Sequence, residues 1–544
     1  MPISAVRKAI VLIATCASCW IATDGLAPNK ISKAKPLHRG NVQHHASTIK
    51  DEPATATKGK ETGALVKDER NELSSFMIML QEKMGTVSDD RIIFPELESG
   101  QVPRMFSSLE YTTSENGRLS AQHAAGSTFG ALALVAGTTV GAGVLALPSA
   151  TVAAGFLPST VALGVAWFYM TMSGLLIAEL SLNRFGETGQ PGIGLLSIYE
   201  DSLGKTWGRV GSAAYFFLHF AVLTAYISQG GTNLEGFLAS VGVSSEIPGQ
   251  VLFAGVGAVA LYTASQPLVR KVNNVLVAGV FATFLGIIAF GAGSTDFGAL
   301  VDLSNQHPEN VVNAFPILFL SMVYQNIVPT VVMQLEGDRK KITAAIIGGT
   351  LAPFIMYTAW NAVMLGNVVG IMDPSTLGNM DPISFLQHSK EGGPVLVALV
   401  STFSELALIT SLIGFVYGLM DGFTDVLGLP LQGPSFEKYR PALFAAIFVP
   451  PLALSIGDTD IFYKALDYGG AFGVSTLFLV LPPFMIWKQR YGEEQKPLTI
   501  KPMVPFGKIA LGSMWKAAGT LILEQGAEKL GIIEFVSEQF MKNS

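Results

Sequence analysis

The sequence predicts an all-α polytopic membrane protein, and three observations predict it. Of 544 residues, 49% are hydrophobic and only 14% charged, with a mean hydropathy of +0.44; a water-soluble chain carries about 25% charged residues. Beyond Ser120, long apolar runs alternate with short polar joints, most of them long enough to cross about 30 Å of hydrocarbon as helices of roughly 20 residues. Basic residues collect in every second joint, as the positive-inside rule requires of a correctly counted series. The 57 glycines suit helices that pack closely in lipid.

Composition also excludes whole classes of function. A net charge of −6 gives no electrostatic case for nucleic-acid binding. Cys16 and Cys19 are the only cysteines, which rules out a disulfide scaffold, a thiolate zinc site or an iron–sulfur cluster. Both lie within an apolar run, where the Cys-x-x-Cys spacing reads as filler.

Residues 1–50 read as a presequence. Arg7 and Lys8 precede an apolar run, Ala9 to Ala22, which is too short to span a bilayer and has the form of a signal-peptide h-region. From Gly25 to Lys50 there are five basic residues and no acidic one, the composition of a transit peptide. Signal followed by transit peptide resembles the bipartite presequence of algae with complex plastids, although Leu26 stands where the usual cleavage motif has an aromatic residue. A plain signal peptide with a polar tail fits the same residues. Without residues 1–50 the chain keeps 28 basic and 40 acidic residues, a net charge of −12. Residues 51–120 read as a flexible polar juxtamembrane region, in which Leu73, Phe76, Met77, Leu80 and Met84 have the spacing of a surface helix. Residues 121–525 form the membrane domain and 526–544 a C-terminal tail.

The expected spans are Ser127–Thr151, Pro158–Leu182, Gly211–Leu234, Gly249–Ser265, Asn274–Gly291, Val311–Leu335, Ile342–Leu365, Pro394–Met420, Pro441–Ile456, Tyr468–Trp487 and Val504–Glu524. The eleventh contains Lys508 and Lys516 beside Trp515, so it fits an interfacial helix as well as a spanning one. Joints after even-numbered spans hold fourteen basic residues, against two after odd-numbered ones. The even joints and the N-terminus therefore face the cytoplasm or its stromal equivalent.

Two spans contain helix-breaking sequences. The first reads Gly137-Thr-Thr-Val-Gly-Ala-Gly-Val-Leu-Ala-Leu-Pro148, and glycines followed by a proline weaken a helix in its middle. Freed backbone in a bilayer must line a cavity or be buried in protein. Amide groups opening at the start of the next half-helix would suit a carboxylate; close helix packing through small residues is the other reading. The sixth span carries Tyr324, Gln325 and Asn326 ahead of Pro329. Polar side chains in hydrocarbon need partners, so these residues either face a substrate or bond to neighbouring helices. Interrupted helices at the head of both five-helix halves point to an inverted-repeat transporter with a midplane site.

Enzyme readings fare poorly. Gly141-x-Gly143-x-x-Ala146 lacks the preceding strand and later acid of a dinucleotide site, no Gly-x-Ser-x-Gly elbow occurs, and His219 is the only histidine in a span. No cofactor or metal is expected. Ionisable residues within spans are Glu179, His219 and Glu405, each costly in lipid and each a candidate for ion coupling. A carboxyl at Glu405 could relay protons or act as a hydrogen-bonded structural group. His219 reads as a packing residue, with Phe216, Phe217 and Tyr226 close enough to line an aromatic pocket.

The first-span motif resembles the first helix of the tryptophan/tyrosine permease family of hydroxy/aromatic amino-acid permeases. Thr410 to Asp421 is similar to that family's eighth helix. Val449-Pro-Pro-Leu452 with Ala465 to Gly473 resembles its ninth and tenth, and Pro482 to Trp487 closes the match. The resemblance covers roughly Ser127 to Glu524. It implies eleven helices in a LeuT-type inverted repeat with discontinuous helices 1 and 6, and proton-coupled symport of tyrosine, tryptophan or phenylalanine. Carried over by position, Thr138, Thr139, Gly141, Ala142 and Gly143 would meet the amino acid's carboxylate and ammonium groups, with Tyr324, Gln325 and Asn326 facing them. Glu405 departs from the family, which tends to an apolar or aromatic residue there, and the N-terminal extension is foreign to bacterial members. The expected partners are an amino-acid substrate, protons and the lipid bilayer, with the protein in a multi-pass membrane location, the plastid envelope being the organellar reading. Sodium coupling through Ser401, Thr402, Thr410 and Ser411, or a non-transporting amino-acid sensor, are the alternatives.

Overall fold

The structure is a computed structural model. It describes residues 91–92, 109–113, 119–123, 126–141, 143–189, 194–243, 245–369, 393–429, 433–457, 461–493 and 497–529. The presequence, the surface helix expected near Leu73 to Met84, residues 530–544 of the C-terminal tail and Ala142 lie outside the described residues, whereas 526–529 of the tail continue the last helix. The chain divides into Met1–Gly85 and Thr86–Ser544, and the described residues all belong to the second unit.

Among the described residues that unit is helical, apart from one short antiparallel hairpin ahead of the membrane domain and an isolated bridge between Ile92 and Leu498. Its strands β1 (Leu109–Thr113) and β2 (Leu119–His123) place Leu109 opposite His123 and Thr113 opposite Leu119. The first span is split into α1 (Thr128–Thr139) and α2 (Gly143–Thr151), bent by 56°. The second is α3 (Phe156–Thr188), followed by a short helix, α4 (Leu195–Leu203). The third, fourth and fifth are α5 (Lys205–Ser240), α6 (Gly249–Thr263) and α7 (Gln266–Gly291).

The sixth span is also split, into α8 (Phe315–Ser321) and α9 (Val328–Gln334), with a 3-10 turn at Gln325–Ile327 between them. The seventh, eighth and ninth are α10 (Arg339–Gly366), α11 (Gly393–Leu427) and α12 (Pro434–Ser455). The tenth runs from α13 (Ile461–Tyr468) through a π-helix, Gly469–Val480, into α14 (Leu481–Tyr491); α15 (Gly507–Lys529) covers the segment expected as an eleventh span or an interfacial helix. Among the described residues, seven helices are long and apolar enough to cross a membrane, and eight when α1 and α2 count as one span. The fourth span is apolar but only 15 residues long. The charged residues of α12 and α15 lower their hydropathy.

Side-chain caps set two of the starts. The Ser127 hydroxyl accepts from the Gly130 amide at 2.9 Å, and the Asp338 carboxylate accepts from the Lys340 and Lys341 amides, satisfying donors that a helix start leaves open. Prolines in the sixth span start its helices instead of interrupting them. Pro316 and Pro329 occupy the first turns of α8 and α9, where no amide donor is needed.

Met170, Ile177, Tyr324, Tyr357, Trp360, Phe403 and Phe478 form the centre of the core. The outer faces are apolar as well, with Phe168, Val256, Leu268, Val275, Leu285 and Ile355 exposed, as a lipid-facing belt requires. The apolar window of the fifth span is 22% buried and that of the tenth 78%, so the former faces lipid and the latter lies inside the bundle. Packing partners repeat at an offset of five spans. α10 lies along α1 as α3 lies along α8 and α9, and α11 lies along α7 as α5 lies along the tenth span.

At the positively charged end, the segment after the tenth span is fastened to α3. Glu179, fully buried, accepts from Arg490 Nε at 2.8 Å and Nη2 at 2.6 Å, and from the Met503 amide at 2.7 Å. One turn further, the Asn183 side-chain oxygen accepts from the Thr499 amide at 2.9 Å.

Candidate functional site

The two interrupted spans meet in the middle of the bundle. α1 ends at Thr139 and α8 at Ser321, and the last carbonyls of each helix have no partner within it. One side chain from the seventh span serves both. The Tyr357 hydroxyl lies 2.7 Å from the Thr139 carbonyl and 3.2 Å from the Ser321 carbonyl, with its ring buried. The start of α2 completes the junction. A Cβ added at Gly143 would lie 3.2 Å from Ser321 Cα, so any larger residue would push the two breaks apart by a few tenths of an ångström.

The third and eighth spans face the same junction. A Cβ at Gly141 would lie 3.1 Å from the Ser411 hydroxyl, and Ser411 hydrogen-bonds the Tyr226 side chain. The Phe415 ring meets Tyr226 edge-on at 5.6 Å, and the His219 ring at 5.0 Å. Backbone amides at the start of α2, backbone carbonyls at the ends of α1 and α8, and an aromatic wall on α5 and α11 thus converge. This arrangement can hold a zwitterion with an apolar ring.

The residues expected at the site are not all brought to it. Thr138 and Thr139 donate their hydroxyls to Leu134 and Val135 in the preceding turn, each at 2.8 Å, so near the break they present backbone. Gly141 and Gly143 stand at the junction. Tyr324 and Gln325 are buried and turn towards the second span. The Tyr324 hydroxyl donates to the Met170 carbonyl at 3.1 Å and Gln325 Nε2 to the same carbonyl at 3.2 Å, while Gln325 Oε1 accepts from the Tyr324 amide. Gly174 makes room for this, since a Cβ there would strike the Tyr324 hydroxyl. Asn326 is exposed.

Of the ionisable residues, Glu179 sits in the ion pair with Arg490. His219 is buried between Tyr215, at 3.9 Å, and Phe415, with Nδ1 2.8 Å from the Tyr215 carbonyl. Glu405 is half-buried and hydrogen-bonds Asn233, which accepts from Gln229 at 2.9 Å. Glu405 and Asn233 also line a cavity of about 710 Å³ between the third, fourth, fifth and eighth spans, whose walls are otherwise apolar. Thr402 and Thr410 donate to carbonyls of their own helix.

Tyr357 is the residue that sequence reasoning missed. Pro353, Tyr357 and Asn361 in the seventh span carry the same sign, polar groups beside a proline in hydrocarbon, that singled out the sixth.

A bundle of apolar helices, two of them interrupted where backbone and aromatic groups converge, defines a membrane transport protein. The chain belongs to the tryptophan/tyrosine permease family, whose model matches residues 124–512. It is 27% identical to the tyrosine-specific transport system 1 of Haemophilus influenzae, over 69% of this chain and 91% of that protein. It is 27% identical to the tryptophan-specific transport protein of Shigella flexneri, over 66% of this chain and 86% of that one. With the low affinity tryptophan permease of Escherichia coli K12 it shares 24%, over 66% and 86%. The protein is an integral, multi-pass permease and not an enzyme.

Proposed function

We propose that the protein is a secondary transporter that moves tyrosine, tryptophan or phenylalanine together with a proton. The observation that carries the substrate class is the junction of the two interrupted spans, where polar backbone faces Tyr226 and Phe415. Amides at the start of α2 would take the substrate carboxylate, carbonyls of α1 and α8 its ammonium, and the rings its side chain. Relatives named for tyrosine and tryptophan transport support the same class. The packing offset of five spans supports an inverted-repeat arrangement of the LeuT type.

Glu405 is the proton site in this reading. It lies six residues from Ser411 on one helix, roughly 9 Å at 1.5 Å per residue, and Asn233, Gln229 and Tyr226 form a polar line down the facing helix. Its hydrogen-bonding partner Asn233 is neutral, so it can change charge without breaking an ion pair. The acid-poor stretch behind an apolar run supports a plastid envelope as the location, and residues 1–50 fused to a fluorescent protein should then reach the plastid.

The transport reading is tested with purified protein in proteoliposomes. Labelled tyrosine or tryptophan should accumulate under an imposed pH gradient, without sodium, and stop with a protonophore, whereas leucine should be excluded. Binding without accumulation, or accumulation only with sodium, defeats it.

A further inference from the structure

One hydroxyl joins the two interrupted helices, and it comes from neither. Tyr357 stands on the seventh span, yet its O–H reaches the last carbonyl of α1 and the last carbonyl of α8. A phenol has one proton to donate, so both helix ends share it, the Thr139 carbonyl at the shorter distance. Both carbonyls sit at helix C-termini, where the backbone dipoles place partial negative charge. Two negative ends facing each other in a low-dielectric interior repel unless a positive group stands between them, and among the described residues the group recorded between these two is this hydroxyl.

We infer that Tyr357 is a positioning residue for substrate binding. Its O–H holds the ends of α1 and α8 together and aims their carbonyls at the ammonium group of an incoming amino acid. The inference rests on the transport reading, but adds a residue to it and a specific consequence. Removing the hydroxyl should weaken recognition of the ammonium group and leave recognition of the ring and carboxylate intact. The contact with Gly141 and the proximity of Tyr226 place the phenol beside both the first break and the aromatic wall.

The test compares tryptophan with indole-3-propionate, which keeps the ring and carboxylate and lacks the ammonium group. Binding of each to the detergent-purified full-length protein is measured for the wild type and for Tyr357→Phe, which retains the buried ring. The expected result is about a tenfold loss of affinity for tryptophan, equivalent to roughly 1.4 kcal/mol, with indole-3-propionate unchanged within about twofold. Equal losses for both ligands, or no loss for either, overturn the inference while the transport reading stands. A wild type that binds no aromatic amino acid removes both. Should Tyr357→Phe fail to fold, 3-fluorotyrosine at the same position settles the matter, because it keeps the volume and makes the hydroxyl a stronger donor. Tighter tryptophan binding with indole-3-propionate unaffected supports the inference, and parallel changes or none refute it.

Discussion

Glu179 and Glu405 are both carboxyls within membrane spans, and the structure gives them opposite surroundings. Glu179 is fully buried, gripped by two guanidinium nitrogens of Arg490 and by the Met503 amide. Glu405 is half-buried at the edge of an apolar cavity, where it hydrogen-bonds the neutral Asn233. A carboxylate whose charge is matched by a fixed cation holds structure together, because protonating it would strand the cation. One with neutral partners can gain and lose a proton at modest cost. Their difference therefore separates a structural acid, Glu179, from the one proposed as the proton site, Glu405, although both meet the same expectation for charges in lipid.

The largest effect should come from breaking the matched pair. Glu179→Gln leaves the Arg490 guanidinium buried without its counter-charge, a loss of about 3–5 kcal/mol, and should abolish folded protein as read by size-exclusion chromatography in mild detergent. The double variant Glu179→Leu with Arg490→Met removes both charges and should recover a large part of the folded yield. If Glu179→Gln instead folds normally and loses only proton-driven uptake, the assignment of roles to the two acids is reversed.

The next effect is functional. Glu405→Gln should fold at wild-type yield, lose accumulation driven by a pH gradient and retain exchange of labelled for unlabelled substrate. Normal gradient-driven accumulation by this variant would falsify Glu405 as the proton site. Loss of exchange as well would show that it serves substrate binding or folding.

Much of this architecture was legible in the sequence, and the parts that were not share a physical cause. Apolar runs and joint charges are local properties, so most spans could be read off directly, as could the first break from its glycines. The π-helix at Gly469–Val480 and the start-of-helix role of Pro329 depend on hydrogen bonding that composition does not encode. Glu179 could be recognised as costly, yet its counter-charge lies 311 residues away. Tyr357 escaped because its role is to satisfy carbonyls of two other helices. The direction taken by Tyr324 and Gln325 was equally hidden: a polar side chain in a membrane span must find a partner, but the sequence does not say on which side.

That last ambiguity supplies the smallest and most discriminating prediction, since it extends the contrast between the two acids to uncharged groups. Tyr324 donates to the Met170 carbonyl from a fully buried position and rests in the space left by Gly174. If its role is structural, Tyr324→Phe should cost about 1 kcal/mol, the net worth of one buried hydrogen bond, and lower the melting temperature by a few degrees. KM for tyrosine and tryptophan should stay within about twofold. Gly174→Ala should be worse, by about 1–3 kcal/mol of overpacking, and should be only partly rescued when combined with Tyr324→Phe, because that change removes the hydroxyl, the nearest atom the new methyl strikes, and leaves two ring carbons within 3.0 Å of it. A rise in KM for Tyr324→Phe without loss of stability would mean that the hydroxyl leaves Met170 for the substrate during transport. The sixth span would then contribute side chains as well as backbone to the site.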